Sequence, residues 1–330
     1  MTNKSNLATD KAFRLGVLSN PNSGGNRKGL AAVGQALQHQ ADALHREAVT
    51  VADTAAALVE FMRNGVDLVA VNGGDGTIQT VLTALFDRKP YEQIPLLAVL
   101  RAGTDSIIAR DIGIRGSRDR GLRKLIDWSR KPDNSGTLVT RPVIRLQSSL
   151  LQHPLYGMIF GAAVIYQGIL FCRRNIHTMG VTGALAPSLT LARFLLGVIR
   201  RNHQYATPAP VTIELDQTSQ IRKEFLMVLV STTERFFLGL RPYWGTETAP
   251  LHFTAIADRA QHLMRVLPSM ARGQRCRLRT PENGYFSHNI NEVRLELNSG
   301  FMLDGELHPV GPDSQEVVLD NGGQASFLRL

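Results

Sequence analysis

Cysteine is nearly absent from this chain. The two that occur, Cys172 and Cys276, make no disulfide framework, and no C-x-x-C pair offers metal spacing. A reducing compartment is the expectation. The opening residues, MTNKSNLATDK, lack the apolar core of a secretion signal and read as a short disordered tail over residues 1–12. Acidic residues are in deficit: 28 Asp and Glu stand against 37 Lys and Arg, a formal net charge of +9. That surplus suits an anionic partner such as a nucleic acid, an anionic membrane or a nucleotide. Repeats and low-complexity tracts are missing. So are two standard phosphate-binding fingerprints: G-x-G-x-x-G fails at Gln79, and GGNRKG has neither the spacing nor the final Ser/Thr of a Walker A loop. The nine histidines show no pair at metal-ligand spacing.

Charge disappears altogether from Gln147 to Cys172. The stretch exceeds the roughly 20 residues that a spanning helix needs. Three glycines, Pro154, His153 and two glutamines interrupt it, so YGMIFGAAVIYQG reads as a buried strand plus a turn.

What is present first is alternation. RLGVLSNPNSGG is a strand breaking into a Pro/Asn/Ser/Gly loop, followed by helical spacing through Leu30, Val33 and Leu37. ALHREAVTV, DLVAVN and IPLLAVL read as further strands. TAAALVEFMRNG reads as a helix opened by Thr54 and closed by Gly65, and TIQTVLTALF as another. Strands alternating with helices predict βαβ units and a mostly parallel sheet. Beyond about residue 135 the segments LVTRPVIRLQ, VTIELD, EFLMVLVST, LHFTAIA, QRCRLRT and EVRLELN are β-like, mostly with no helix between. This predicts an α/β domain with a mostly parallel sheet over 13–135, a linker near SRKPDNSG, and a second, antiparallel β domain over 136–330.

One stretch stands out. In VAVNGGDGT, residues 69–77, an apolar strand ends in three glycines around Asp75. Alone, such a turn is a tight bend with a solvated acid. It is accompanied, however, by SNPNSGG after the first strand and AGT (102–104) after the fourth. Three glycine turns at one edge of a parallel sheet form a composite ligand site, and helix starts there favour phosphate.

NPNSGG, GGDGT, then AGT with AR and IGI, then DGE near the C-terminus resemble the diacylglycerol kinase catalytic-domain superfamily, which includes bacterial lipid kinases and sphingosine and ceramide kinases. The resemblance implies that 13–135 is an α/β nucleotide-binding domain and 136–330 an antiparallel β-sandwich domain whose last strands return to the first, in a two-domain kinase that uses ATP and Mg²⁺ to phosphorylate a hydroxyl of a membrane lipid of the diacylglycerol, ceramide or sphingoid-base class. It implies a nucleotide site of Asn20, Thr50, Gly73, Gly74, Asp75, Gly76, Thr77, Gly103 and Thr104. Asp75 would meet phosphate through Mg²⁺, directly or through water, and Glu306 would take the proton of the lipid hydroxyl, with Asp75 a competitor for that task. The implied location is cytoplasmic with peripheral membrane association at an anionic surface, and no nucleic-acid partner. Two departures stand out. Where relatives read Gly-Thr-x-Asn-Asp-Phe-Ala, this chain has Ser106 and Ile107 at the Asn and Asp positions, with Asp105 and Asp111 out of register. The family's acidic metal motif is replaced by RPYWGTETAPLHFT, in which Glu247 is the only acid. A decayed lipid-binding homologue and a soluble NAD kinase-like enzyme are the alternatives.

Two basic segments remain. Residues 185–202 predict an apolar helix bearing Arg193, Arg200 and Arg201, suited to a membrane interface or to a core. RGQRCRLRT places Arg275, Arg277 and Arg279 on one face of an expected strand, solvated or meeting anionic headgroups. No interleaved aromatics accompany it to suggest nucleic acid.

Overall fold

The computed structural model describes residues 3–6, 12–27, 29–38, 40, 43–102, 106–133, 135–175, 207–236, 239–272, 274, 276–311 and 313–330. The segment 185–202, Gly103, Thr104, Asp105 and Arg275 lie outside the described residues. The chain divides into two compact units, one of Met1–Arg145, His153–Met158 and Gly322–Leu330, the other of Leu146–Gln152 and Ile159–Asn321.

The first unit contains β1 (Asn3–Asn6), β2 (Leu15–Ser19), α1 (Leu30–Gln38), β3 (Leu44–Glu47), α2 (Val51–Arg63), β4 (Leu68–Gly73), α3 (Asp75–Asp87), β5 (Leu96–Arg101), α4 (Ile107–Ile112), α5 (Arg118–Arg130), most of β6 (Thr137–Ser148), and β7 (Leu155–Gly157). Its strands run parallel in the order β3-β2-β4-β5. Every residue of β2 and β4 is buried, the pattern of a parallel sheet covered on both faces. Val33 and Leu37 of α1 and Leu122, Leu125 and Trp128 of α5 join Leu15, Val17, Leu68, Ala70, Ala98 and Leu100 in one core layer. On the other face α2 comes so close that a Cβ on Gly16 would meet Phe61 Cδ2 at 2.8 Å. Residues 3–6, expected within a disordered tail, instead pair antiparallel with β6. Helix α2 begins at Val51 rather than near Thr54, because Thr50 and Asp53 cap it reciprocally.

The strand order decides where a ligand can sit. The chain leaves β2 for β3 on one side and returns to β4 on the other. The switch point therefore falls between the C-terminal ends of β2 and β4, where the two glycine loops emerge. A cavity of about 300 Å³ lined by Phe13, Arg14, Gln40 and Arg130 lies at the opposite end, where β2 begins, and is remote from this chemistry.

The second unit is antiparallel and β-rich. It holds β8 (Ile159–Ala163), α6 (Val164–Asn175), β9 (Ala209–Leu215), β10 (Ser219–Ser231), β11 (Leu251–Ala257), α7 (Leu263–Arg272), β12 (Tyr285–Ile290), β13 (Glu292–Leu297), β14 (Phe301–Leu303), β15 (Glu306–His308) and the first part of β16 (Gln315–Arg329). The long β10 pairs with β9 over its first half and with β8 and β11 over its second, with an irregularity between Phe225 and Met227. The uncharged run after Gln147 is divided among the end of β6, β7, β8 and α6. Among the described residues no helix is long and apolar enough to cross a membrane. QRCRLRT is not a strand: around Arg277 the chain turns, with the Arg279 N–H donating to the Cys276 carbonyl at 3.2 Å. Arg279 is buried and Arg277 is exposed, so the two do not share a solvated face.

Candidate active site

At the switch point, polar side chains tie the two glycine loops together. The Asn20 amide donates to Thr77 Oγ1 at 3.1 Å, and Asn20 Oδ1 accepts from the Asn22 N–H at 2.9 Å. Asn26, buried within the loop, donates to the carbonyls of both Asn20 and Asn72. Asn72 donates to Ser19 Oγ at 2.9 Å, and Ser19 Oγ lies 2.9 Å from His45 Nε2. Asn72 Oδ1 is buried with no partner among the described residues.

The glycines divide into two kinds. A Cβ on Gly25 would meet the Ala102 carbonyl oxygen at 2.1 Å, and one on Gly73 would meet Thr77 Oγ1 at 2.3 Å, so close packing excludes a side chain there. Gly24 and Gly74 face open space. Gly74 is the N-cap of α3, so its missing side chain keeps clear the volume beside that helix start, whose first N–H groups lack intrahelical partners, and Gly24 follows Ser23, whose Oγ lies 3.4 Å from Thr77 Oγ1 in the first turn. Free N–H groups at a helix start are of the kind that can donate to phosphate oxygens. Gly76 lies in the first turn of the same helix.

Asp75, the first residue of α3, is more committed than its sequence context implies. Its carboxylate accepts from Ser106 Oγ in a short bond, from the Ile107 N–H at 2.9 Å and from the Ile108 N–H at 3.3 Å. It therefore joins the start of α3 to the start of α4. Burial pushes its carboxyl above the usual range, opposed by these three donors. Ser106 is the N-cap of α4, accepting from the Ala109 N–H at 3.0 Å. The Ser standing where relatives carry Asn thus has a definite task, and its spacing ahead of Ala109 is the signal that could have assigned it. Thr50 accepts from the Asp53 N–H at 3.1 Å as the cap of α2, and is exposed.

The out-of-register acid Asp111 is not available for a metal. Arg141 donates to Asp111 Oδ2 through Nε at 3.1 Å and Nη2 at 3.0 Å, and both residues are buried. Arg141→Ala should lower stability by about 3–5 kcal/mol, because it strands a buried carboxylate; denaturant unfolding measures this, and a loss below about 1 kcal/mol would contradict it. Glu247 is likewise engaged. Partial burial opposes its ionisation, but the Asn289 N–H at 2.9 Å and His288 Nδ1 at 2.7 Å prevail and hold its carboxyl at about 2.

The His45–Ser19 contact carries a pH dependence. Ser19 Oγ accepts from Asn72 and lies against His45 Nε2, and burial holds His45 below its ordinary value of 6.5, favouring the neutral ring. The folded pKa being the lower, the stabilisation is present above about pH 6.5 and is lost as pH falls through the folded value. Melting temperature should fall between pH 7.5 and 5.5 more steeply for the wild type than for His45→Gln. Equal slopes would remove His45 from this role.

In the second unit, Asp304 and Gly305 form the two-residue loop of the β14–β15 hairpin, with φ of 47° and 85°. Two positive values fit a type I′ turn, where Asp-Gly is favoured. Asp304 is buried and accepts from the Ile159 N–H at 2.8 Å, locking the turn to β8. Glu306 is exposed. Arg173 at the end of α6 donates to the Gly305 carbonyl at 2.9 Å and lies 3.6 Å from Glu306 Oε2. Among the described residues, no group of three or more His, Cys, Asp or Glu side chains is placed to hold a metal ion.

These features describe an α/β unit whose glycine turns gather at the switch point of a parallel sheet. Residues 14–137 match the family model described as diacylglycerol kinase catalytic domain, and the match places that segment in the superfamily. A stretch of 74 residues is 36% identical to a protein of Enterobacter sp. (strain 638) named "Probable lipid kinase YegS-like", covering 22% of this chain and 24% of that protein. The match thus spans about a quarter of the relative's length. The fold resembles that of a Bacillus anthracis str. Sterne protein named "putative diacylglycerol kinase", with a TM-score of 0.62 and 18% identity over 97% of this chain and 98% of that one. A second crystal structure of a diacylglycerol kinase from the same strain aligns with a TM-score of 0.56 and 15% identity, over 97% of each chain.

Proposed function

We propose that this protein is an ATP-dependent lipid kinase that transfers the γ-phosphate to a hydroxyl of a membrane lipid. The observation that carries the reading is the cradle at the switch point between β2 and β4: Gly24 and Gly74 facing open space beside the start of α3, braced by Asn20, Thr77 and Asp75. Phosphoryl transfer depends on positioning and charge neutralisation more than on covalent chemistry, and these residues suit that work. Backbone N–H groups at the start of α3 orient the phosphates, with Gly103 and Thr104 as further contacts. Mg²⁺ is commonly held by one or two carboxylates, phosphates and waters. Asp75 fits that limited demand, since Oδ2 accepts the Ile107 N–H and keeps a lone pair for a cation or its water. When bound, Mg²⁺ would supply charge neutralisation at the phosphates. Glu306 accepts the proton of the lipid hydroxyl.

The test is incubation of the purified protein with γ-labelled ATP and a total lipid extract, with NAD as a parallel acceptor, followed by identification of the labelled product. A labelled lipid supports the proposal. Labelled NADP would favour the NAD kinase-like alternative. ATP binding with no labelled product would favour a decayed homologue, a reading to which Ile107 and the internal engagement of Asp75 lend weight.

A further inference from the structure

The connection between β11 and β12, residues 258–284, has a composition unlike the rest of the second unit. It contains six arginines, two acids and no lysine. It folds as α7 followed by a return turn. Val266 and Met270 point inward and pack with Ile256, Ala260 and Tyr285. The opposite side of α7 carries Met264, which at 62% exposure is the most exposed large apolar side chain among the described residues. Around it, Arg265, Pro268 and Arg272 are exposed, as are Arg259 before the helix and Arg277 after it. Among the described residues, none of these four arginines forms an ion pair. The return turn is fastened from below, where the Arg279 guanidinium lies over the Trp244 ring at 4.6 Å and donates to the Gln274 carbonyl.

We propose that this excursion is the surface by which the protein docks on an anionic bilayer. Two properties coincide that only such a partner uses together. Unpaired arginines seek phosphate groups, and the attraction accumulates with each basic residue at the surface. An apolar tip among them gains by entering the boundary between headgroups and acyl chains. A nucleic-acid backbone would use the charge but not Met264; of the aromatic rings packed beside α7, Tyr285 is buried and Trp244 is covered by Arg279 rather than free to stack. The inference deepens the lipid-kinase reading and rests on it for its biological sense, but it can be tested without turnover.

The experiment is co-sedimentation of the full chain, without nucleotide, with vesicles of phosphatidylcholine alone and of phosphatidylcholine mixed with phosphatidylglycerol, at low and moderate salt. Wild-type protein should bind the mixed vesicles and weaken with salt. The triple variant Arg265→Gln, Arg272→Gln, Arg277→Gln should lose at least about tenfold in affinity. A charge-matched triple variant on α5, Arg120→Gln, Arg123→Gln, Lys124→Gln, should bind nearly as the wild type does. Met264→Gln changes no charge and should also weaken binding. Thermal melting of each variant confirms folding. Equal losses in both triple variants would mean that only net charge matters and would overturn the proposal. So would absence of wild-type binding, or tight binding to duplex DNA that Met264→Gln leaves unchanged. Turnover on detergent-dispersed lipid separates the two readings: bilayer binding without turnover on any lipid sinks the kinase reading alone, and turnover with unaltered vesicle binding in the α7 variant sinks the docking surface alone.

Discussion

Replacing Asp75 with Asn is expected to lower phosphate transfer by at least about a hundredfold while the protein still melts cooperatively. Removing one charge that organises phosphate and cation at a transition state commonly costs a factor of about 10²–10³. The carboxylate also serves two helix starts, being the first residue of α3 and an acceptor for the first N–H groups of α4. Asn keeps one acceptor oxygen but turns an NH₂ toward the remaining donors. The local penalty of leaving an N–H unsatisfied is about 1–3 kcal/mol, enough to lower the melting temperature but not to unfold the unit. Turnover, nucleotide affinity and melting should be measured on the same preparation. Ser106→Ala separates the two roles, because it removes the cap of α4 and one hydrogen bond but leaves the charge. It should lower stability by about 1 kcal/mol and activity far less than Asp75→Asn does. A folded Asp75→Asn protein with near-normal turnover would leave Asp75 as the structural link between α3 and α4.

The second large effect concerns the β14–β15 hairpin. Glu306→Gln should reduce turnover by about 10²–10⁴-fold, the range for general-base assistance, with ATP affinity nearly unchanged. The two carboxylates of this turn have opposite surroundings. Asp304 is buried and bound to the Ile159 N–H, whereas Glu306 is exposed beside Arg173. Asp304→Asn can still accept from Ile159 and tolerates the positive φ, so it should change chemistry little. Asp304→Ala loses both advantages and should destabilise by about 1–3 kcal/mol. If Glu306→Gln weakens ATP binding and spares the rate at saturating ATP, Glu306 belongs to the nucleotide or metal site, and another group accepts the proton.

The parallel sheet and its glycine turns were legible because each strand is a short apolar run cut off by Gly, Pro or Asn. The hydrogen-bond partners were not, since they join residues far apart in sequence. Ser106 looked like a departure from the family pattern until α4 gave it a helix to cap. Helix α6 was read as a strand and turn because Val164, Ile165 and Tyr166 favour strands. Tertiary packing overrides that preference: a Cβ on Gly161 would meet Ile165 Cγ2 at 2.6 Å, and one on Gly300 would meet the Tyr166 ring at 2.2 Å, so two distant glycines make room for the helix. Helix α7 was hidden by Pro268 in its interior, which ordinarily argues against a helix. Asp-Asn-Gly-Gly at 320–323 has the composition of a hairpin loop, yet β16 runs through it. A Cβ on Gly322 would meet Tyr156 Cε1 at 2.7 Å, and Gly323 adopts φ of 133°.

That last strand bears on the order of events during synthesis. Phe327 and Leu328 of β16 pair with Leu97 and Ala98 of β5, whose other edge is held by β4. The catalytic-domain family match ends at residue 137. A ribosome that has translated that far has released every glycine turn of the α/β unit but not the strand that closes its sheet. Until residues 322–330 emerge, β5 presents an open row of N–H and C=O groups, the kind of edge that recruits other chains. A fragment truncated at the family boundary would carry the same open edge permanently. The first part of the chain to be made is therefore among the last to be finished, and chaperone dependence or aggregation of truncated forms should follow the availability of this short C-terminal segment.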